Sequence, residues 1–274
     1  MIPKIIFTYW EGNQLSKLHY YTIYSLTKLN PGLEIIIYTA KDATENFIQW
    51  NTGEHAIKIN NTISLNDIVN INDSVKLIKI DFENEYSIKN NLSVVFKADF
   101  VRIAKLYEHG GMWFDFDLLF IKEIPENLFK EYDRDILYFT YDVVIPTGLL
   151  FSSPENEMIK QIYHTALEII KNINESDRHV NYQALGPTLW ATNMQIFLSK
   201  NTCCLNNNLV YPYLDSNINE FFNSNNDRIS NTTFAVHWFN GSHCAKNYIN
   251  NLDENNLDPN VSVANKYLHN IINC

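Results

Sequence analysis

No stretch of the 274 residues approaches the roughly 18 consecutive apolar residues that a membrane-spanning helix needs. That absence excludes such a helix. The apolar run Met1-Ile2-Pro3-Lys4-Ile5-Ile6-Phe7 ends at Thr8-Tyr9-Trp10, and it lacks the basic start, longer apolar core and small-residue cleavage site of a signal peptide. Cysteine is scarce. Cys203, Cys204, Cys244 and Cys274 fit no paired metal-ligand spacing, and without an export signal they are expected to be free thiols. By the same reasoning Asn91-Leu92-Ser93 and Asn240-Gly241-Ser242 are chance sequons of an Asn-rich chain, and a cytoplasmic location is expected. Basic stripes are missing too. The net charge is -10, the sequence pI is near 5.2 and the Lys and Arg residues are scattered, so neither nucleic acid nor an anionic membrane is an expected partner. An anionic small substrate would need local help from a cation.

What is present is apolar mass. With 46% hydrophobic and 14% aromatic residues the chain can bury one sizeable core, and residues 1–274 read as a single domain. Residues 2–9 predict a buried strand, 15–29 a helix and 33–38 a second strand after the Asn30-Pro31-Gly32 turn. A helix over 41–50 and a strand over 75–80 continue the alternation, which argues for an α/β fold with a mostly parallel sheet flanked by helices. Ser93 is placed to N-cap a helix reaching about His109, with Gly110 as its stop. Further strands are expected over 112–120, 136–141, 143–151 and 233–238, and helices over 154–171, 182–198 and 261–272.

The strand expected at 112–120 is apolar except for two acids. Asp115 and Asp117 stand at i and i+2, so within a strand they point the same way. Buried and unpaired they would cost several kcal/mol or force one to stay protonated, unless a cation bridges them or they lie at a solvent-facing strand end. Carboxylate oxygens suit Mg²⁺ or Mn²⁺, with positions left for substrate phosphates. At an effective dielectric of about 20, a carboxylate ~5 Å from a phosphate repels it by roughly 3 kcal/mol, so an unassisted diphosphate could not sit here. The Asp-x-Asp pattern alone is weak, since Asp133-Arg134-Asp135 repeats it in a charged stretch that reads as a solvated turn. Gly110-Gly111 lets the chain turn tightly into the strand and permits close approach by a ligand. Asp99 and Arg102, three apart, share one helix face, either as an ordinary ion pair or as a grip on phosphate or sugar oxygens.

The combination is more specific than its pieces. Lys97-Ala98-Asp99-Phe100-Val101-Arg102, then Leu106-Tyr107, then Gly110-Gly111-Met112-Trp113-Phe114-Asp115-Phe116-Asp117 closely resembles the sugar-binding region of Asp-x-Asp (DXD) glycosyltransferases. The relatives meant are initiation-specific mannosyltransferases, lactosylceramide galactosyltransferases, capsular polysaccharide transferases and the glucosylating domains of clostridial toxins. Ile2-Pro3-Lys4-Ile5-Ile6 with Trp10 is similar to that family's first strand, and Ala235-Val236-His237-Trp238-Phe239-Asn240-Gly241-Ser242 to its late His-containing block. His243 stands where many relatives carry Trp, and Gly186-Pro187 resembles a short acceptor-side motif.

The resemblance implies a GT-A architecture with additional C-terminal helices, a nucleotide-sugar donor, Mn²⁺ or Mg²⁺, and retention of anomeric configuration. It divides the domain into a nucleotide-sugar-binding half, 1–120, and an acceptor-side and closing half, 121–274. Carried over by position, Tyr9 and Trp10 lie at the donor with Trp10 stacked on the base, Asp99 and Arg102 grip the sugar and leaving diphosphate, and Asp115 contacts ribose and metal. Asp117 ligates the metal, and His237 and Ser242 complete that end. The catalytic set is then Asp99, Arg102 and Asp117; the metal set is Asp115, Asp117 and His237; Ser242 joins the donor-binding set.

The reaction implied is transfer of a sugar from a UDP- or GDP-sugar to a hydroxyl of a glycan, protein or lipid. No carboxylate stands out as a nucleophile, which favours front-face attack by the acceptor hydroxyl over a covalent intermediate. A glycoside hydrolase fits poorly, because its paired carboxylates flank the bond about 5 Å or more apart and come from different strands. A non-catalytic nucleotide-sugar or metal-binding module would bind donor without turnover.

Overall fold

The structure is a computed structural model, describing residues 1–43, 58–89, 92–130, 134–141, 144–173, 183–193 and 201–273. Its strands are β1 (Ile6–Tyr9), β2 (Gln14–Ser16), β3 (Ile35–Ala40), β4 (Thr62–Ser64), β5 (Val75–Ile80), β6 (Gly111–Phe114), β7 (Leu118–Phe120), β8 (Ile136–Tyr138), β9 (Leu149–Ser152), β10 (Thr202–Cys204) and β11 (Ala235–His237). Among the described residues its helices include α1 (Lys17–Leu29), α2 (Leu65–Val69), α3 (Phe82–Tyr86), α4 (Val94–Glu108), α5 (Asn127–Lys130), α6 (Glu157–Asn172) and α7 (Pro187–Thr192). Helices Asn219–Asn223, His243–Asn251 and Val263–Asn273 follow. No helix among the described residues is long and apolar enough to cross a membrane.

Seven strands form one sheet in the order β10-β8-β9-β6-β1-β3-β5. β6-β1, β1-β3, β3-β5 and β10-β8 pair in parallel, while β9 runs antiparallel to both its neighbours. This is the mostly parallel α/β sheet expected from the alternation. Each face of the sheet supports its own core. Ile6, Met112, Phe114 and Phe151 pack with α1 residues Ile23 and Leu26 on one side. Phe7, Trp113 and Leu150 pack with Phe96, Phe100 and Ile103 of α4 and Ile159 and Ile162 of α6 on the other. Alternation along β6 thus sends Trp113 toward α4. A third cluster joins Leu18 and Tyr21 of α1 to Trp238 and the two C-terminal helices.

Local signals account for the element ends. Ser16 caps α1 by accepting from the His19 amide at 3.3 Å, and His19 Nδ1 accepts in return from the Ser16 amide at 3.3 Å. Ser93 caps α4 at the expected place, accepting from Phe96 N at 3.4 Å. Gly110 and Gly111 have φ of 66° and 100°, a region costly for other residues. The space they spare is filled by the chain itself and not by a ligand: a Cβ on Gly110 would lie 2.6 Å from the Ser152 carbonyl oxygen, and one on Gly111 would overlap that of Ile5.

Some expectations need correction. Residues 112–120 form two strands and not one, because β6 belongs to the seven-stranded sheet while β7 pairs antiparallel with β11 in a separate two-stranded sheet. The acids therefore sit in the turn between them. Of the helix expected over 182–198 the described part is α7, and the helix expected over 41–50 falls mostly outside the described residues.

Candidate active site

The turn at 115–117 is tied down from three directions. Asp115 N donates to Gly148 O at 2.7 Å, Thr22 Oγ1 of α1 donates to Phe116 O at 2.6 Å, and Trp238 N donates to Asp117 O at 2.8 Å. Three elements distant in sequence thus hold the two acids in place.

On the helix side, the Arg102 guanidinium donates to Asp99 Oδ1 through one terminal nitrogen and to Asp115 Oδ1 at 3.0 Å through the other. Asp99 and Arg102 are buried, with 5% and 4% of their surface exposed. Burial raises the Asp99 carboxyl to about 6, with Asp115 adding and Arg102 opposing. Burial acts against the Arg102 cation, yet Asp115 and Asp99 outweigh it and hold its pKa above the usual value. Trp113 Nε1 also donates to Asp115 Oδ1, at 2.7 Å.

On the opposite side stands β11. His237 Nε2 lies 3.3 Å from Asp117 Oδ1, and Asn240 N donates to Asp117 Oδ2 at 2.9 Å. Phe239, between them, adopts a left-handed φ of 50°, which turns the chain back over Asp117. The His237 ring is clamped by Phe239 at 4.3 Å and Tyr211 at 5.3 Å between centroids. Burial, reinforced by Asp115 and opposed by His237, pushes the Asp117 carboxyl up.

One ligand atom from each of Asp115, Asp117 and His237 falls within 4.8 Å of the others. A divalent cation fits this set on charge grounds. Three carboxylates, Asp99, Asp115 and Asp117, meet here; the Arg102 guanidinium pairs with the first two, and among the described residues Asp117 has an imidazole and one backbone amide beside it. Oxygen ligands with one imidazole suit Mn²⁺ or Mg²⁺.

The remaining sequence candidates lie at varying distances from this centre. Trp10 is buried at 8% exposure with its ring 5.3 Å from that of Phe116, between the two acids, and 5.0 Å from that of His19. Tyr9 sits on the other sheet face in the second core; its hydroxyl donates to Glu11 Oε2 at 2.8 Å, and Glu11 pairs with buried Lys97 at 3.0 Å. Ser242 is in the loop after β11, but its hydroxyl caps the helix His243–Asn251 by accepting from Ala245 N at 3.3 Å. His243 is exposed and bonded within its own helix to Asn247 at 3.1 Å.

Sequence reasoning missed Gly148, Tyr211 and the role of Trp113. A Cβ on Gly148 would lie 2.7 Å from the His237 ring and 3.0 Å from the Tyr211 hydroxyl, so only glycine leaves this packing intact. No periodicity or motif pointed to Tyr211. Gly186 was noticed for another reason, and a Cβ there would stand 3.0 Å from Asp99 Oδ2.

Residues 16–135, which contain Asp99, Arg102, Asp115 and Asp117, match the family model described as a glycosyltransferase sugar-binding region containing a DXD motif. That stretch is similar to the sugar-binding region of the DXD glycosyltransferases. Among solved structures, the PaToxG glycosyltransferase aligns at a TM-score of 0.50 and 15% identity, covering 72% of this chain and 69% of its own, which supports the fold. The galactosyltransferase LgtC, solved with donor and acceptor sugar analogues, aligns at 0.42 and 12% identity over 86% of each chain. Mouse xyloside xylosyltransferase 1 aligns at 0.43 and 11%, over 85% of this chain and 96% of its own. No curated protein matches the chain in a sequence search. The DXD region and the site coincide: the acid turn and the helix that braces it lie inside the matched segment, while His237 comes from outside it.

Proposed function

We propose that this protein is a metal-dependent glycosyltransferase that moves a hexose from a UDP- or GDP-sugar to a hydroxyl of a glycan, protein or lipid, with retention of configuration. The observation that carries this reading is the convergence of Asp115, Asp117 and His237 within 4.8 Å, next to the buried Asp99–Arg102 pair, in a chain with a stretch similar to the DXD sugar-binding region. We further propose that residues 1–274 act as one domain, with 1–120 binding the donor and 121–274 supplying the acceptor side and the closing His237 loop.

In this reading Asp115, Asp117 and His237 would hold Mn²⁺ or Mg²⁺, which supplies charge stabilisation to the departing diphosphate. Arg102 adds a fixed positive charge beside Asp115 and Asp99, to both of which it is paired. Asp99, facing Gly186 at the start of α7, is the group proposed to meet the donor sugar. Trp10, at the rear of the acid turn, is proposed to stack on the base with Tyr9 behind it, and Ser242 to close the loop. Front-face attack by the acceptor hydroxyl requires no protein nucleophile.

The test is release of UDP or GDP from nucleotide sugars by the purified protein, with and without acceptor. Activity should vanish with EDTA and return with Mn²⁺, and NMR of the transferred sugar should show the donor's anomeric configuration. Undiminished turnover in excess chelator would overturn the metal role, inversion would overturn retention, and tight donor binding without any turnover would make the protein a binding module.

A further inference from the structure

Trp113 is the third residue of β6 and is 1% exposed. A buried indole N–H needs an acceptor. Here the acceptor is Asp115 Oδ1 at 2.7 Å, two residues along the chain. Arg102 donates to that same oxygen at 3.0 Å, and its guanidinium carbon lies 4.8 Å from the centroid of the Trp113 ring. The three groups form a closed triangle: indole to carboxylate, carboxylate to guanidinium, guanidinium to indole face.

Both donors fall on one oxygen, and no described residue donates to Asp115 Oδ2. The terminal torsion of an aspartate is broad and soft, so a carboxylate held by a single flexible partner would sample many orientations. Two donors from different directions remove that freedom. The indole face also confines Arg102, whose Nε has no hydrogen-bond partner among the described residues and so does little to fix the guanidinium plane.

We infer that Trp113 is a positioning residue for the metal end of the site, orienting the Asp115 carboxylate so that Oδ2 is presented to the cation while Oδ1 is held. This rests on the proposed function, because it presumes that Asp115 ligates a metal. Partners that orient metal ligands typically affect metal affinity by about 10–100-fold, and this triangle places Trp113 among them.

The test is Trp113→Phe, which keeps an aromatic ring at the position and removes the N–H together with the pyrrole half of the indole. Mn²⁺ binding, read by electron paramagnetic resonance with UDP or GDP present, should weaken about tenfold or more, and the KM for Mn²⁺ should rise by a similar factor while kcat at saturating Mn²⁺ changes little. An unchanged Mn²⁺ affinity in a folded variant would overturn the inference and return Trp113 to the core. Should the variant fail to fold, ¹⁵N-indole spectra of the wild-type protein, which has five tryptophans, take its place. One low-field indole signal should move during a titration with Mg²⁺ alone, and stationary signals would overturn the proposal. A wild-type protein that binds no Mn²⁺ would defeat the functional reading itself and take this inference with it.

Discussion

The two arms that meet at the acid turn are finished to different degrees. The α4–β6 arm is almost closed: Asp99, Arg102, Trp113 and Asp115 satisfy one another through three hydrogen bonds, leaving the Arg102 Nε as its buried orphan. The β11 arm is open. His237 Nδ1, Trp238 Nε1, Asn240 Oδ1 and the Tyr211 hydroxyl are all buried and have no hydrogen-bond partner among the described residues. A buried polar group left unpaired costs about 1–3 kcal/mol. One arm is thus a rigid platform braced by charge, and the other carries stored polar capacity beside it. A site that must hold a highly charged ligand gains from this division, since the platform keeps its geometry while the other arm adapts.

The comparison can be broken most severely at Arg102. Arg102→Met would leave Asp99 buried without its cation, and the loss should reach about 3–5 kcal/mol in denaturant unfolding, the range for breaking a buried ion pair. A loss under about 1 kcal/mol would mean that the brace is not structural.

Next in size is Asp117, on the open arm. Asp117→Asn removes a charge that burial already disfavours, so the fold should survive while turnover falls by about 10²–10³. Asp135→Asn, from the second Asp-x-Asp copy, should change stability by less than about 0.5 kcal/mol and leave activity intact. The Asp135 carboxylate accepts a long hydrogen bond from Asn201 Nδ2 at 3.3 Å. Steady-state assays of both variants, with circular dichroism, separate the copies.

His19 lies beneath both arms, its ring against Trp10, Phe116 and Trp238. Burial lowers its pKa from 6.5 to about 3. The folded chain therefore holds it neutral, and the unfolded chain takes up a proton below pH 6.5. The resulting stability is present above pH 6.5 and lost as the pH falls toward 3. Between pH 7 and 5 this group should cost roughly 2 kcal/mol of unfolding free energy, and His19→Asn should show a correspondingly flatter dependence in urea titrations. Equal slopes would place the acid sensitivity elsewhere.

The smallest effect is expected at Tyr211. Tyr211→Phe removes a hydroxyl that bonds to nothing described, so stability should stay within about 0.5 kcal/mol or rise. A larger fall, read from the unfolding midpoint, would show that the open arm is closed by a partner after all.

Much of the closed arm was legible beforehand because its signals are local. Ser93 and Gly110 bound α4 by capping and left-handed geometry, and a spacing of three puts Asp99 and Arg102 on one helix face. The acids stood out because charge interrupts an apolar run. Whether they share a strand face was misjudged, since the break between β6 and β7 depends on which sheet each strand joins.

The chain order by itself determined the alternation of strands and helices, the capped α4, and the presence of two acids that demand compensation. Those follow from backbone sterics and from the cost of burying charge, both of which act within a few residues. Only the tertiary structure decided that Arg102 divides itself between Asp99 and Asp115, that Trp113 spends its N–H on a carboxylate, and that Asn240, 123 positions away, donates to Asp117. The pairing of β7 with β11 brings that last contact about, and Gly148 admits it by leaving room for the His237 ring. No local pattern encodes such a meeting, because strand pairing across the fold is settled by the summed packing of distant faces.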